Sequence, residues 1–373
     1  MGANPVRLAA GMMSGTSMDG VDVALVETDG CTISRFGGTL SVAYNESERA
    51  VLRRALDDAR AITDRGMRPG KVGRAESVVT DRHAEAIEIL CAEQGISLSE
   101  IDIIGFHGQT VLHRPQARLT VQIGNARQLS SRLGRPVISD FRAADVAAGG
   151  QGAPLVPVFH AALAETAGLA KPVAFLNLGG VANITYIGAD GELIAFDTGP
   201  ANALLDDWAL THTGTPVDLD ARLAARGQVD RDRLARLMDD PYFDAPPPKS
   251  LDRAHFSARS ADVLGGLAAE EGAATLAAFT VESVAAALRF LPQPPVTWIV
   301  AGGGTRNPVI MGGLEARLGV PVMAADACGF SSQYMEAQAF AYLAVRSLHR
   351  LAITFPGTTG APIPLNGGSL TRP

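Results

Sequence analysis

The chain has 373 residues, 47% of them apolar and 19% charged, with 39 acidic residues against 32 basic ones for a formal charge of −7. At roughly 150 residues per domain, that length suggests about two domains with sizeable cores, and the composition excludes a disordered chain. The acidic balance leaves no basic footprint for a phosphate backbone, which argues against nucleic acid as a partner.

In chain order, the sequence first predicts a strand at 8–13, a turn through SGTSMDG and a second strand, VDVALVET, ending at Asp29-Gly30. A third strand is expected over 31–44, then helices over 46–62 and 73–94, the latter with apolar residues at 3/4 spacing. IDIIGF and LTVQIG read as strands, with HGQTVLHRP as the loop between them. A short helix from Asn125, a strand at 136–141 and the glycine cluster AAGGQGAP follow.

A second unit opens at Pro172 with the strand VAFLNLG, a turn at GVA, the strand NITYIG, a turn at ADG and the strand ELIAFDTG. Both halves thus begin with an apolar strand, a glycine-rich reversal, another strand and an acidic-Gly turn, which raises the expectation of an internally repeated, two-lobed architecture. Helices are expected at 201–212, 218–226, 230–239, 258–290, 307–318 and 333–351. Three consecutive prolines, Pro246 to Pro248, make 241–253 a loop. VTWIVAGGG is a buried strand running into a triple glycine, and the tail after 351 is irregular.

Three scattered cysteines, Cys31, Cys91 and Cys328, without a CxxC, read as a reducing compartment with neither a disulfide frame nor a zinc site. The N-terminal residues carry no charged stretch leading into an apolar one, and Val6 breaks the myristoylation pattern. The most apolar stretches are interrupted by Lys171 and Glu282, short of the ~20 residues that a membrane span needs. A cytoplasmic chain with no membrane partner is expected.

Glycine is enriched, at 40 of 373 residues against a usual ~7%, and its clusters carry the chemistry. SGTSMDGVD, residues 14–22, offers backbone N–H groups among small side chains, and Thr16 and Ser17 could donate to phosphate oxygens. An ordinary hairpin is the other reading of this segment. The setting is strand–turn–strand, and none of the three lysines, Lys71, Lys171 and Lys249, lies in a GxxxxGK[ST] run, so it is not a Walker loop. Gly302 to Gly304 follow a strand and precede a helix, where a backbone could pass close to a ligand or simply turn tightly. Asp197 stands at a strand end before Thr198, Gly199 and Pro200, a place where a carboxylate could take a proton from water or cap the next helix. Arg142 and Asp145 could be a surface ion pair or part of a sugar site. His107 and His113, six apart, fit neither HExxH nor an i,i+4 pair, which argues against a metal. GxSxG and the kinase HRD/DFG set are absent.

Hairpin phosphate loops, a strand-end carboxylate and no Walker lysine together resemble the acetate-and-sugar-kinase, heat-shock-chaperone and actin superfamily. More closely, the chain resembles the anhydro-N-acetylmuramic acid kinase family through GMMSGTSMDGVDVALVE, IGFHGQT, TVQIGN, ADVAAGGQGAPLVPVFH, FLNLGGVANIT, FDTGPANALLDDW and AGGGTRNPVIM, with MEAQAFAYLA beyond. The resemblance implies an α/β, two-lobed actin-like fold with duplicated mixed β-sheet lobes and ATP in a central cleft. It implies a first lobe at 1–145 plus about 335–373 and a second at 146–334. It makes Gly15, Thr16, Ser17, Met18, Asp19, Gly20, Val21 and Asp22 the phosphate loop, with Gly302, Gly303 and Gly304 on the adenosine side. Asp197 becomes the general base, and Thr110, Arg142, Asp145 and Glu336 lie near the sugar.

The reaction implied couples ring opening of a 1,6-anhydro sugar by water to phosphorylation of the 6-oxygen, with Mg2+ on the transferring phosphoryl group and no magnesium ligands assigned. ATP and a small sugar are the expected partners; a homodimer stays open. Two departures stand out. Ala143 and Ala144 replace arginines that commonly follow DF in the family, and Ala201 replaces the last glycine of FDxGPGN. The first leaves open a kinase for another anhydrosugar such as levoglucosan, since a carboxylate-free sugar needs no such arginine. A nucleotide-driven conformational switch is the reading outside this enzyme class. Glycines 149, 150 and 152, just past the expected lobe boundary, are candidate hinge positions.

Overall fold

Continuous apolar runs, buried on both faces, build the first strands, β1 (Arg7–Ser14) and β2 (Gly20–Thr28), as an antiparallel hairpin, and β3 (Ile33–Ala43) continues it on the far side of β2. This computed structural model describes residues 4–15 and 17–373. They divide into two units: the described residues up to Thr166 together with Gln333–Pro373, and Ala167–Ser332.

In the first unit, Asn45 opens α1 (Glu46–Asp58) with a reciprocal cap, accepting from the Glu48 N–H while the Glu48 carboxylate accepts from its own. α2 (Val72–Gln94) stops at Gly95, which takes the left-handed conformation. β4 (Ile103–Arg114) runs parallel to β1, and β5 (Leu119–Ile123) folds back against its second half. α3 (Ala126–Leu133), β6 (Val137–Ser139), α4 (Ala143–Ala148) and α5 (Pro157–Thr166) complete this pass, with β6 parallel to β4.

The second unit starts with the antiparallel meander β7 (Val173–Leu178), β8 (Val181–Ile187) and β9 (Leu193–Pro200). Four helices follow: α6 (Asn202–Thr213), α7 (Arg231–Met238), α8 (Ser257–Leu264) and α9 (Ala269–Ala287). Then come β10 (Thr297–Ala301), α10 (Pro308–Leu318) and β11 (Val322–Ala324), with β10 parallel to both β7 and β11. The chain returns to the first unit as α11 (Met335–Leu348), α12 (Pro356–Thr359) and β12 (Ser369–Thr371), the last antiparallel to β6.

The two sheets repeat each other. The order β3-β2-β1-β4-β6 matches β9-β8-β7-β10-β11, and in each the first two pairings are antiparallel and the next two parallel. The duplication expected from the similar openings of the two halves is therefore present in the topology, and each unit is a mixed sheet with helices.

Central to the first unit is a glycine pair. Gly11 of β1 and Gly105 of β4 are register partners, and α11 lies directly on them. A Cβ on Gly11 would sit 2.0 Å from the Ala337 carbonyl oxygen, and one on Gly105 would sit 2.1 Å from that of Phe340. Only bare backbone on both strands admits the helix at that depth.

Several expectations are corrected. HGQTVLH is not a loop: residues 107–114 continue β4, paired with β5 from Gln109 to Arg114. The helix expected over 258–290 is two, α8 and α9, broken at Gly265–Gly266 where Gly266 has φ +82°. Over 218–226 there is only the 3-10 turn Leu219–Ala221, in which Asp220 and Ala221 have positive φ. The boundary at 145/146 falls inside the first unit, because α4 packs on β5 and α5 packs on β3 and α11. Glycines 149, 150 and 152 also lie inside that unit and do not join the two. The Gln151 N–H donates to the Thr359 carbonyl and the Gly152 N–H to Asp145. Finally, Ala269–Phe290 is long and apolar enough to cross a membrane, with 67% of its most apolar window buried in the protein. It is the core helix against which β9, α6 and α7 pack.

Two glycine-to-alanine changes should move stability in opposite directions. Gly11→Ala forces α11 off its strands and should cost about 1–3 kcal/mol or more. Gly312→Ala, at an exposed position of α10 with nothing within 4 Å of the new methyl, should gain about 0.5–1 kcal/mol. Urea unfolding of both variants against the parent checks the signs.

Candidate active site

The β1–β2 hairpin turn is held by side chains from other strands. The buried Ser14 hydroxyl donates to Gln109 Oε1 at 2.6 Å and lies 3.1 Å from the Tyr44 hydroxyl. Gln109 Nε2 in turn donates to the Gly15 carbonyl at 3.1 Å, and the Met18 N–H closes the turn onto that same oxygen. Burial pushes the Tyr44 phenol up to about 12, so it stays protonated as part of this network. Gly15 needs no space from the protein: a Cβ there would meet only Ser17 Oγ, at 3.8 Å. Gly20 differs, since its Cβ would lie 2.5 Å from the Val42 carbonyl oxygen, so the β2–β3 pairing itself demands glycine. Ser17 and Asp19 are exposed, whereas Met18, at φ +55°, and Val21 turn their side chains into the core. Thr16 lies outside the described residues.

At the start of β2, Asp22 accepts from the Ser41 hydroxyl, and burial raises its carboxyl above the usual range against that bond. Glu336, in the first turn of α11, is also raised, by crowding of protein around it and by Asp22, with Arg142 opposing. Its side chain nonetheless remains open to water.

Arg142 is held in place by a neutral partner. Its Nε lies 3.2 Å and one terminal nitrogen 3.0 Å from His107 Nε2, while the other terminal nitrogen donates to the Gly152 carbonyl at 2.8 Å. His107 Nδ1 lies 2.9 Å from the Gly108 carbonyl oxygen, which fixes Nε2 as the acceptor. Burial, with Arg142 adding, keeps this imidazole well below its ordinary pKa. Asp145 is buried, with Oδ1 accepting from the Gly152 N–H and Oδ2 from the Thr359 hydroxyl, both at 2.6 Å. Both its oxygens are thus engaged within the protein, and neither forms an ion pair with Arg142. Thr110 is half-buried on β4, its hydroxyl accepting from Gln122 Nε2 at 3.1 Å. His107 and Gln122 also line a cavity of about 190 Å³ together with Arg65, Arg68, Ser139 and Asp140.

In the second unit, Asp197 sits on β9, the edge strand of its sheet. Burial pushes its carboxyl up to about 6, and one bond opposes the shift: the Leu251 N–H donates to Oδ2 at 2.7 Å. It caps no helix, for the residue flanking α6 is Ala201, which makes no side-chain cap. The following glycine, Gly199, is required by packing, since a Cβ would lie 2.5 Å from Ser283 Cβ of α9. Of the triple glycine after β10, Gly302 and Gly304 would clash with the end of β7, at 2.6 Å from Asn177 Oδ1 and 2.5 Å from Leu178 Cβ respectively. Gly303 has only an ordinary 3.5 Å neighbour, Asn202 Nδ2.

The sequence profile of the family described as Anhydro-N-acetylmuramic acid kinase matches residues 7–372. The chain belongs to this family. Relatives of that name include one from Methylobacterium nodulans, 54% identical over 98% of this chain and 100% of that protein. Another, from Nitrobacter winogradskyi, is 52% identical over 98% of this chain and 99% of that protein. A third, from Rhodopseudomonas palustris, is 52% identical over 98% and 100%. Among solved structures, component A of the Acidaminococcus fermentans (R)-2-hydroxyglutaryl-CoA dehydratase is 13% identical with a TM-score of 0.47, covering 92% of this chain and 99% of that one.

For this member of the anhydro-N-acetylmuramic acid kinase family, the sequence singles out Asp197, Arg142 and the 15–22 turn but not the residues that hold them. His107, which orients Arg142, drew notice only as a metal candidate with His113, and Gln109, which holds the turn, only as part of HGQT, a string read as a loop. Leu251 and Tyr242, which bind the Asp197 residue, lie in the proline-rich segment and carry no motif of their own.

The Gln109 network predicts a contrast in stability. Gln109→Leu removes one partner each from the Ser14 hydroxyl and the Gly15 carbonyl, leaving them Tyr44 and the Met18 N–H, and should cost about 1–3 kcal/mol. Gly15→Ala, in open space, should stay within about 0.5 kcal/mol of the parent. Chemical denaturation of the two variants measures both.

Proposed function

We propose that the chain is an ATP-dependent kinase that opens the 1,6-anhydro ring of anhydro-N-acetylmuramic acid and yields N-acetylmuramic acid 6-phosphate and ADP, a step of peptidoglycan recycling in the cytoplasm. The observation that carries the mechanism is Asp197: a half-buried carboxylate with one oxygen pinned by a backbone N–H and a pKa of about 6. A base poised there is unprotonated at neutral pH yet retains a strong pull on a proton.

An anhydro sugar has no free 6-hydroxyl with which to attack ATP. In the proposed reaction Asp197 takes a proton from water as the water oxygen bonds to the anomeric carbon. The bond from that carbon to the bridging oxygen breaks, and the freed 6-oxygen bonds to the γ-phosphorus as its bond to ADP breaks. Protons, atoms and charge balance without a further reactant.

Phosphate binding is assigned to the Gly15–Asp22 turn, where a bare Gly15 backbone would meet the ATP oxygens. Magnesium would neutralise charge on the transferring phosphoryl group. The donor chemistry fits: Asp22 and Glu336 are neighbouring carboxylates, and magnesium is commonly bound through one or two carboxylates plus substrate phosphates. Arg142, oriented by neutral His107, is the cation assigned to the sugar, and Asp145 holds the Gly150–Gly152 loop beside it.

A second reading keeps the chemistry and changes the sugar. Ala143 and Ala144 stand where the family commonly has arginines, which leaves open an anhydrosugar without a carboxylate, such as levoglucosan. An ADP-release assay with each sugar, and with none, separates these readings. Turnover without sugar would instead support a nucleotide-driven switch.

Asp197→Asn should lower turnover by about 10²–10⁴ while calorimetric titration shows ATP affinity nearly unchanged. Retention of more than about a tenth of the activity would place the base elsewhere. In the parent, kcat should fall about tenfold per pH unit below about 6, because the base must be unprotonated to act. A flat profile down to pH 5 would contradict the assignment.

A further inference from the structure

The segment after α7 reaches back to the edge strand at one residue. The Asp197 N–H donates to the Lys249 carbonyl at 3.1 Å, the Asp197 carbonyl accepts from the Tyr242 hydroxyl at 2.5 Å, and Asp197 Oδ2 accepts from the Leu251 N–H. Backbone donor, backbone acceptor and side chain of this one residue are all met by 242–251. Edge strands present unpaired backbone groups, and here a strap covers them.

The strap is itself closed by a lysine. Lys249 Nζ donates to the Tyr242 carbonyl at 2.9 Å and lies 4.5 Å from the Tyr242 ring centroid and 4.6 Å from that of Phe290. Phe196, the residue before Asp197, is 5.8 Å away. An ammonium is attracted to the negative faces of aromatic rings, which holds the lysine and the segment that carries it in place. Phe243 anchors the other end, buried against Phe256 and Phe279.

We propose that this strap, closed by Lys249 on its aromatic rings, is the positioning element of the reaction: it holds Oδ2 of Asp197 on the Leu251 N–H and leaves Oδ1 to take the proton from water. The proposal rests on Asp197 being the base. The ionisable groups facing this cluster are Tyr242, Lys249, Arg289 and Asp244, with His255, whose ring lies 6.0 Å from that of Tyr242, and Asp240, which accepts from the Tyr242 N–H. Burial raises the Tyr242 phenol, with Asp197 adding, so the hydroxyl remains a donor. Lys249 is lowered to about 8 by burial, with Arg289 adding and Asp244 opposing, and it is still mainly charged at neutral pH. Arg289 pairs with Asp244 at 2.8 Å and also donates to the Phe243 carbonyl, so it steadies the strap rather than the carboxylate.

The test uses the full chain and two variants that touch the strap differently. Lys249→Met keeps the stem among the rings and removes the charge; Tyr242→Phe keeps the ring and removes the hydroxyl. Each should lower kcat about three- to tenfold, the worth of one ordinary hydrogen bond, with the KM for ATP unchanged. The acid limb of kcat should move to higher pH by up to about one unit, because a loosened Leu251 N–H no longer holds the carboxyl down. Lys249→Arg should restore part of both effects. If Lys249→Met does not fold, Tyr242→Phe decides alone. A folded variant with lower melting temperature or altered KM but an unmoved acid limb would reduce the strap to ordinary packing and overturn the proposal. Asp197→Asn, run in parallel, separates the two readings. If it is active, the base assignment fails; if it is dead while the strap variants keep the parent's kcat and limb, only the positioning role fails.

Discussion

Two glycines opposite one another on parallel strands set the depth of the first unit. Because Gly11 and Gly105 carry no Cβ, the carbonyls of α11 come within about 2 Å of where methyl groups would be. That depth fixes more than a core. α11 carries Glu336 in its first turn and follows Gln333 and Tyr334, which reach Ser41, itself the donor to Asp22. Raising the helix by one methyl would move every one of these groups relative to the β1–β2 turn. Packing and chemistry are thus joined at a place where neither residue has a side chain.

The second unit solves the same problem differently. Its glycines sit where α9 and the end of β7 crowd the backbone: Gly199 under Ser283, Gly272 against Trp208, Gly302 and Gly304 on Leu178 and Asn177. Sheet order and polarity are shared between units, but the residues that let helices approach are not at matching places. A duplicated topology has therefore been packed twice by separate means. Glycines that look like ligand loops in the sequence are partly glycines of packing, and Gly15 and Gly303 are the ones left open.

Much of the fold was legible. Apolar runs separated by glycine-rich and acidic-Gly turns mark the hairpins of both halves, and the likeness of their openings anticipates the shared topology. Beyond Phe106, β4 reads as a loop because histidine, glycine and glutamine end the apolar run. In the structure those polar groups are satisfied internally, His107 by Gly108 and Arg142, Gln109 by Ser14 and Gly15. Local sequence cannot show that a buried polar residue has a partner dozens of positions away. The site followed the same rule. Asp197 stood out by its strand-end string, yet the N–H that holds it is 54 positions distant in a segment whose prolines announce only irregularity. Helix breaks were missed where a glycine pair, Gly265–Gly266, lay inside an otherwise continuous apolar pattern.

The way the chain divides also governs the order in which its parts can be completed during synthesis. Ala167–Ser332 is one uninterrupted stretch, so all its strands and helices exist once that stretch has left the ribosome. The first unit has no such moment. Its sheet is nearly whole by Ser139, but the helix that fills the trough over Gly11 and Gly105 is made about two hundred residues later. Until then the sheet lacks the helix that covers Gly11 and Gly105, while an entire second unit is translated. Completion of the first unit therefore depends on residues that are synthesised after the whole of the second.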